Sequence, residues 1–207
     1  MAPVPRRSAH SERALLDAAR HVVVRDGVRF ATVAAIADAS GAPVGSIYHR
    51  FASLDELLAR AWLRAASASQ AAIPPAGPGS DRTDAVDDAA AIAGSMYDFC
   101  LEHPDDAALL RSLRPNDIDM TRVSPAIADA LAAANDPALA RLGDLARRLF
   151  GRRSDASQDL LLLLLVDVPY AFALRSGRQA TSRARYRDGL DAAVRAALSV
   201  AGPPARR

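Results

Sequence analysis

The chain contains no lysine. Its 26 basic residues are all arginine, so every basic contact it makes is through a guanidinium, the group suited to bidentate phosphate contact. Genomic base composition is the simplest origin of this arginine and alanine bias. There is one cysteine, Cys100, which excludes an intrachain disulfide and fits a cytoplasmic setting. Aromatic residues make up only 5% of the 207. No alternating strand pattern, internal repeat, metal-ligand spacing, phosphate-binding loop or nucleophile elbow is found, so no metal, no cofactor and no enzyme activity is expected. Cys100 and His103 stand one helical turn apart, but nothing orients them as a catalytic pair. Met1 to Arg7 and the charged stretch after it do not read as a signal peptide. The longest apolar run, Leu160 to Val166 and on towards Leu174, is interrupted by Asp167 and Pro169 and is short for a membrane span; it reads as a buried helix.

Half of the residues are apolar, enough for a sizeable core, and the dominance of alanine, leucine and arginine favours helix. The fold class expected is all-α, with about nine helices. Net charge is +2, but it is unevenly spread. Residues 1–64 hold nine arginines against six acids, and residues 65–207 hold seventeen against eighteen. A mildly basic N-terminal third fits phosphate contact.

The stretch around which the chain is organised is Phe30 to Leu58. Thr32 is an N-cap residue, and Val33, Ala34, Ile36 and Ala37 follow at helical spacing. Gly41 supplies the left-handed backbone of a C-cap. A second short helix starts near Pro43, which has no N–H to lose at a first helical position. Its Ile47 and Phe51 face inward, whereas Ser46, Tyr48, His49 and Arg50 face outward. Ser53 with Glu56 reads as a capping box opening the next helix. Two short helices, a glycine turn and an outward polar face describe a helix-turn-helix, whose second helix fits the DNA major groove.

From about Ser11 to Trp62 the chain resembles the N-terminal DNA-binding domain of TetR-family (tetracycline-repressor-like) transcriptional regulators. The residues that carry the likeness are Arg13, Leu16, Ala18-Ala19, Gly27, Phe30 to Val33, Ile36-Ala37, Ala39, Gly41, Gly45 to Tyr48, Phe51 and Asp55 to Leu58, in register without a gap. The resemblance implies a three-helix reading head and a C-terminal ligand-binding and dimerisation domain. It puts DNA contact on Thr32, Pro43, Val44, Gly45, Ser46, Tyr48, His49 and Arg50. For Tyr48, packing between the first and third helices stands as an alternative to phosphate contact. Where the family often has Ser-Lys, this chain has Pro43-Val44, and where it often has lysine after the next helix cap, this chain has Leu54. A weaker salt dependence than in lysine-bearing relatives follows.

In chain order, residues 1–8 read as a flexible arm and 9–73 as the reading head. Its first helix runs from about Ser11 to Asp26, Phe30 fills the centre, and a connector helix runs from Ser53 to about Ala72. Residues 74–83, rich in proline and glycine, read as a mobile linker. Residues 84–202 read as the ligand-binding and dimerisation domain. Its helices are expected at 84–102, 105–113, from Pro125, from Pro137 to Phe150, from 154 or 155 to Ser176 with Gly177 as cap, and from Thr181 to about Ala201, closed by Gly202-Pro203-Pro204. The six leucines 160–165 are apolar all round, which calls for burial on every side, and a partner chain is the expected cover. The dimer seam is placed on Leu161, Leu164, Val168, Tyr186, Leu190 and Val194. A pocket is placed on Met96, Tyr97, Cys100, Leu110, Met120, Asp167, Pro169 and Tyr170, with Pro169 kinking its helix. Asp167 either pairs with an arginine across the seam or marks that pocket.

The function expected is a one-component regulator, by family habit a repressor. It would bind a palindromic double-stranded DNA operator as a homodimer, be released by a small-molecule effector, and have no membrane association. The alternative is a helical interaction protein of the same fold that has lost DNA binding.

Overall fold

The structure is a computed structural model that describes residues 11–79, 81–176 and 180–201, the last from Ala180 as backbone. The expected arm at 1–8, the Gly177 cap and the closing Gly202-Pro203-Pro204 lie outside them. The described residues are helical, with no strand among them. The helices are α1 (Glu12–Asp26), α2 (Val33–Ser40), α3 (Val44–Tyr48), α4 (Leu54–Ala71), α5 (Arg82–Glu102), α6 (Pro104–Ser112), α7 (Pro125–Ala133), α8 (Asp136–Phe150), α9 (Asp155–Ser176) and α10 (Ala180–Ala201). Short 3-10 turns cover Val28–Phe30, Pro115–Asp117 and Met120–Arg122.

The chain divides into two compact units that do not follow chain order: Met1–Ala68 with Asp105–Ala134, and Ser69–Pro104 with Asn135–Arg207. The sequence placed 105–134 in the C-terminal domain. Instead Leu109, Leu113, Ile118 and Leu131 are buried in the same apolar cluster as Leu15, Ile36, Ile47, Phe51 and Leu57. Each such side chain contributes about 1.5–3 kcal/mol by leaving water, so the segment belongs to the reading head energetically. Polar ties reinforce it. The Ser53 hydroxyl donates to the Arg122 carbonyl at 2.6 Å, and the Asp119 N–H donates to the Asp55 carboxylate at 3.1 Å. Arg20 pairs with Asp106.

Within this first unit, α1 begins on Ser11, whose hydroxyl accepts from the Ala14 N–H, and ends at Gly27. Ser53 caps α4 by accepting from the Glu56 N–H at 3.0 Å. The expected capping box is only half made, because the Glu56 carboxylate takes Arg60 at 2.6 Å instead. Phe30 does not fill the centre. It is 67% exposed, because Ile36, Ile47 and Phe51 already occupy the core and the 3-10 turn carries the ring outward.

In the second unit, the segment expected as a linker is hydrogen-bonded through its described residues. The Gly77 N–H donates to the Asp88 carboxylate at 2.9 Å, and Arg148 donates to the Gly79 carbonyl at 2.9 Å. A Cβ on residue 77 would stand 2.9 Å from that carboxylate oxygen, so glycine permits the approach. Asp81 and Asp84 make a reciprocal capping box at the start of α5. Arg82 donates to the carbonyls of Leu149 and Leu198, gathering the ends of α8 and α10 around it. In α9 the proline answers differently from expectation. Pro169 has no N–H, and the helix widens ahead of it into a π turn at Leu163–Asp167, with the Val168 N–H donating to the Leu163 carbonyl.

By length and composition α9 is apolar enough to cross a membrane, the one such helix among the described residues, and little of it is buried within the chain. Leu161, Leu164 and Leu165 are buried within the chain, whereas Leu162, Leu163, Val166 and Leu174 are exposed.

Candidate nucleic-acid interface

The reading site is built from α2, the Gly41 turn and α3. Thr32 accepts from the Ala35 N–H at 3.1 Å, which starts α2 and leaves the N–H groups of Val33 and Ala34 at its open end. Ile36 and Ala37 are buried, and they anchor α2 to the core. Gly41 adopts φ 66°, ψ 15°, a conformation that costs any side chain with a Cβ, and the chain turns there into α3. The turn is locked by the Ala42 N–H, which donates to the Ala37 carbonyl at 3.2 Å and to the Ser40 hydroxyl at 3.3 Å.

Helix α3 starts one residue later than the proline reading placed it. Pro43 is the cap residue, without a side-chain bond, and Val44 is the first helical residue. Ile47 and Phe51 are each 1% exposed and fix the helix by its inner face. The outer face is therefore set: Pro43, Val44, Gly45, Tyr48, His49 and Arg50 are exposed and Ser46 is half-buried. Tyr48 is 56% exposed, too open for a core residue. A Cβ added at Gly45 would meet nothing within 4 Å. The protein's own packing does not require glycine there, and the missing side chain leaves open surface on the exposed face. Arg50 donates to the Ser46 carbonyl at 3.3 Å, curling over the end of the helix.

Most of the basic excess of this region is already neutralised. Arg13, Arg20, Arg25, Arg60 and Arg64 each pair with a carboxylate. Burial opposes the charge of Arg60, but its hydrogen bond to Glu56, helped by Glu12, outweighs this and holds the guanidinium above its ordinary value. Among the described residues of the first 64, Arg29 and Arg50 are the arginines that pair with no carboxylate. Both are exposed, and Arg29 lies beside Phe30 at the entrance to α2. Sequence reading missed Arg29 and Phe30 as surface candidates, because the likeness treats Phe30 as core. The signal was the turn after Gly27, whose φ of 93° redirects the chain.

The other predicted residues are scattered. Met96, Tyr97 and Cys100 are buried on α5, with Pro169 buried and Asp167 and Tyr170 half-buried on α9, all in the second unit. Leu110 instead packs against the reading-head core, and Met120 is 41% exposed on a turn of that unit. Of the eight, Tyr97 lines a described cavity. This cavity of about 270 Å³ also has Asp98, Arg183 and Arg187 in its wall, and the Tyr97 hydroxyl donates to the Arg183 carbonyl at 3.1 Å. A second cavity of about 390 Å³ lies between Phe150, Ser157, Leu160 and Ala201. Among the described residues no cluster of His, Cys, Asp or Glu has the arrangement to hold a metal ion.

The expected seam also changes. Leu161, Leu164, Leu190 and Val194 are buried within the single chain. Tyr186 is half-buried, edge-on to Phe172 with ring centroids 5.9 Å apart, and Val168 is half-buried. Six consecutive leucines carry no periodicity, so the sequence could not say which of them face inward.

A helix-turn-helix whose second helix is held by its inner face and bare on its outer face has the arrangement of a DNA-reading head. Residues 15–61 match the family described as bacterial regulatory proteins, tetR family, so the helix-turn-helix is of the TetR type. Solved structures share the fold. A TetR-like transcriptional regulator from Rhodococcus sp. RHA1 aligns over 95% of this chain and 99% of its own, with 21% identity and a TM-score of 0.65. The transcriptional regulator FadR from Bacillus subtilis, in complex with stearoyl-CoA, aligns over 91% and 97%, with 12% identity and a TM-score of 0.62. The multidrug binding protein EbrR, complexed with imidazole, aligns over 86% and 92%, with 19% identity and a TM-score of 0.52. No curated protein matches the chain at a significant level.

Proposed function

We propose that the chain is a cytoplasmic one-component repressor that binds a palindromic operator as a homodimer and is released by a small molecule held in its second unit. The observation that carries the reading is the outer face of α3, where Val44, Tyr48 and His49 are exposed around a bare Gly45. In this reading the α2 N-terminus and the Thr32 hydroxyl meet one phosphate. Tyr48 donates to a second. Val44 lies against a thymine methyl, and His49 or Ser46 addresses a base edge or phosphate. Arg50 and Arg29 add charge.

Dimerisation is supported by the exposed Leu162, Leu163, Val166 and Leu174 of α9, an apolar face on a helix that soluble monomers do not leave bare. Two copies joined there would present two reading heads to half-sites about 34–36 Å apart. Release by a small molecule is supported by the ligands named for two fold neighbours, stearoyl-CoA and imidazole.

The test is selection of bound DNA from a random duplex pool by wild type and Tyr48→Ala in parallel. A palindromic consensus that the variant loses is the expected result. No consensus from a folded dimer would instead favour the helical interaction protein.

A further inference from the structure

The reading head leaves few large apolar side chains open. Among residues 11–64 the exposed ones are Phe30, Val44 and Tyr48. Val44 and Tyr48 lie on the outer face of α3. Phe30 is the most open of the three, at 67%, and stands on the 3-10 turn that leads into α2. The backbone holds this turn in place. The Phe30 N–H donates to the Gly27 carbonyl at 3.1 Å, the Ala31 N–H donates to the Val28 carbonyl at 3.2 Å, and Ala31 is buried. A single exposed apolar residue is ordinary on a protein surface; what sets this one apart is its neighbours.

Arg29, next to it on the turn, is exposed and pairs with no carboxylate among the described residues. The acid just before the turn, Asp26, is taken by Arg25 at 2.6 Å. Two residues after Phe30, Thr32 opens α2, and a chain that extends at most about 3.6 Å per residue keeps their Cα atoms within about 7 Å. The surface is thus an apolar ring edged by positive charge. A partner held by an apolar face alone gains nothing from that charge, whereas each nucleotide of DNA joins an apolar sugar edge to an anion.

We propose that Phe30 packs against the deoxyribose beside the phosphate held at the start of α2 and shields that phosphate contact from water. The proposal rests on reading the chain as a DNA-binding regulator, and it extends the contact surface from α3 back to this turn. The ring adds affinity on any sequence, because a contact to the sugar carries no sequence information.

Wild type, Phe30→Ala and Phe30→Leu are titrated on the duplex selected from the random pool and on a scrambled one, across a range of salt. Phe30→Ala binds both duplexes about 10-fold more weakly, and Phe30→Leu recovers part of the loss. The slope of log K against log salt stays that of wild type, because no charge is removed. Thermal unfolding of the free proteins is unchanged, because the ring is exposed. Phe30→Trp gives a direct readout. The native Trp62 is buried and supplies a constant background, so a fall in acrylamide quenching when duplex is added reports cover over residue 30. Wild-type affinity in Phe30→Ala, or quenching of Phe30→Trp that duplex leaves unchanged, would overturn the proposal while wild type still binds the selected duplex. A loss confined to the selected duplex would also overturn it, by making Phe30 a reader of base sequence. A wild type that selects no duplex would remove the DNA reading itself, and the proposal with it.

Discussion

The two units bury their side chains to different degrees of completion. In the first, Leu15, Val22, Ile36, Ile47, Phe51 and Leu57 are each at most 1% exposed, and its large exposed apolar residues, Phe30, Val44, Tyr48 and Met120, are scattered over turns and α3. In the second, the inner leucines of α9 are equally well buried, but Leu162, Leu163, Val166 and Leu174 follow one another along the same helix in the open. The first unit is a finished core with a small working face. The second is a core that ends in an apolar surface and calls for a cover. The same hydrophobic effect acts in both; the difference lies in whether the chain supplies both sides of the contact.

The most severe way to break the contrast is in the finished core. Phe51→Ala removes a ring that is 1% exposed and also lies under the Arg60 guanidinium, 5.5 Å from its centroid. A loss of about 3–5 kcal/mol is expected. Hydrogen exchange would locate it, with faster exchange through α1 and α4 and loss of DNA binding. Protection lost equally in α5 and α10 would mean that the first unit is not a core of its own.

The counterpart in the second unit is Arg148→Met, which leaves Asp88 buried without its partner and costs about 3–5 kcal/mol. A pH series sharpens it. The Asp88 carboxyl titrates below the usual range when folded. The stability it contributes is therefore present above the unfolded carboxylate value and is lost as pH falls through the folded one. In the variant the raising effect of burial has less opposition, so acid unfolding should begin at higher pH than in wild type. An unchanged acid limit would show that Arg148 is not what keeps Asp88 ionised.

The unfinished surface is tested by Leu163→Glu. Residue 163 is 48% exposed, so the monomer should fold as before, while a carboxylate in the seam should weaken dimerisation by about 3 kcal/mol, roughly a hundredfold. Sedimentation velocity gives the answer. A dimer of unchanged strength would place the seam elsewhere.

How far the sequence could be read follows the same division. The helix-turn-helix was legible almost residue by residue, because its signals are local: the Thr32 cap, the left-handed Gly41, and the inward spacing of Ile47 and Phe51. What was misread there came from contacts distant in sequence. Leu109, Leu113 and Leu131 complete the head's core from a segment that chain order assigned to the other domain, and the space expected for Phe30 is already filled. In the second unit, Leu160 to Leu165 lack the alternation that tells inside from outside, so the seam was placed on leucines that the protomer buries itself. Pro169 announced an irregular helix but not its form. The π turn that absorbs it depends on backbone bonds that no residue type specifies.

The smallest effect expected bears on the working face of the finished unit. Of the arginines described among the first 64 residues, Arg29 and Arg50 pair with no carboxylate, which gives four such cations in a dimer. If each neutralises one phosphate, the slope of log K against log salt owed to them is about −3.6. Arg29→Gln removes two of the four and should flatten the slope by about 1.8. Affinity should fall by a similar factor on every duplex, because a phosphate contact positions the protein without reading sequence. Titrations of wild type and variant on the selected duplex and on a scrambled one, across a range of salt, separate the outcomes. A slope that stays the same would place Arg29 off the DNA. A loss confined to the selected duplex would make Arg29 a reader of bases, and the working face would then extend from α3 back to the turn before α2, where Phe30 stands beside it.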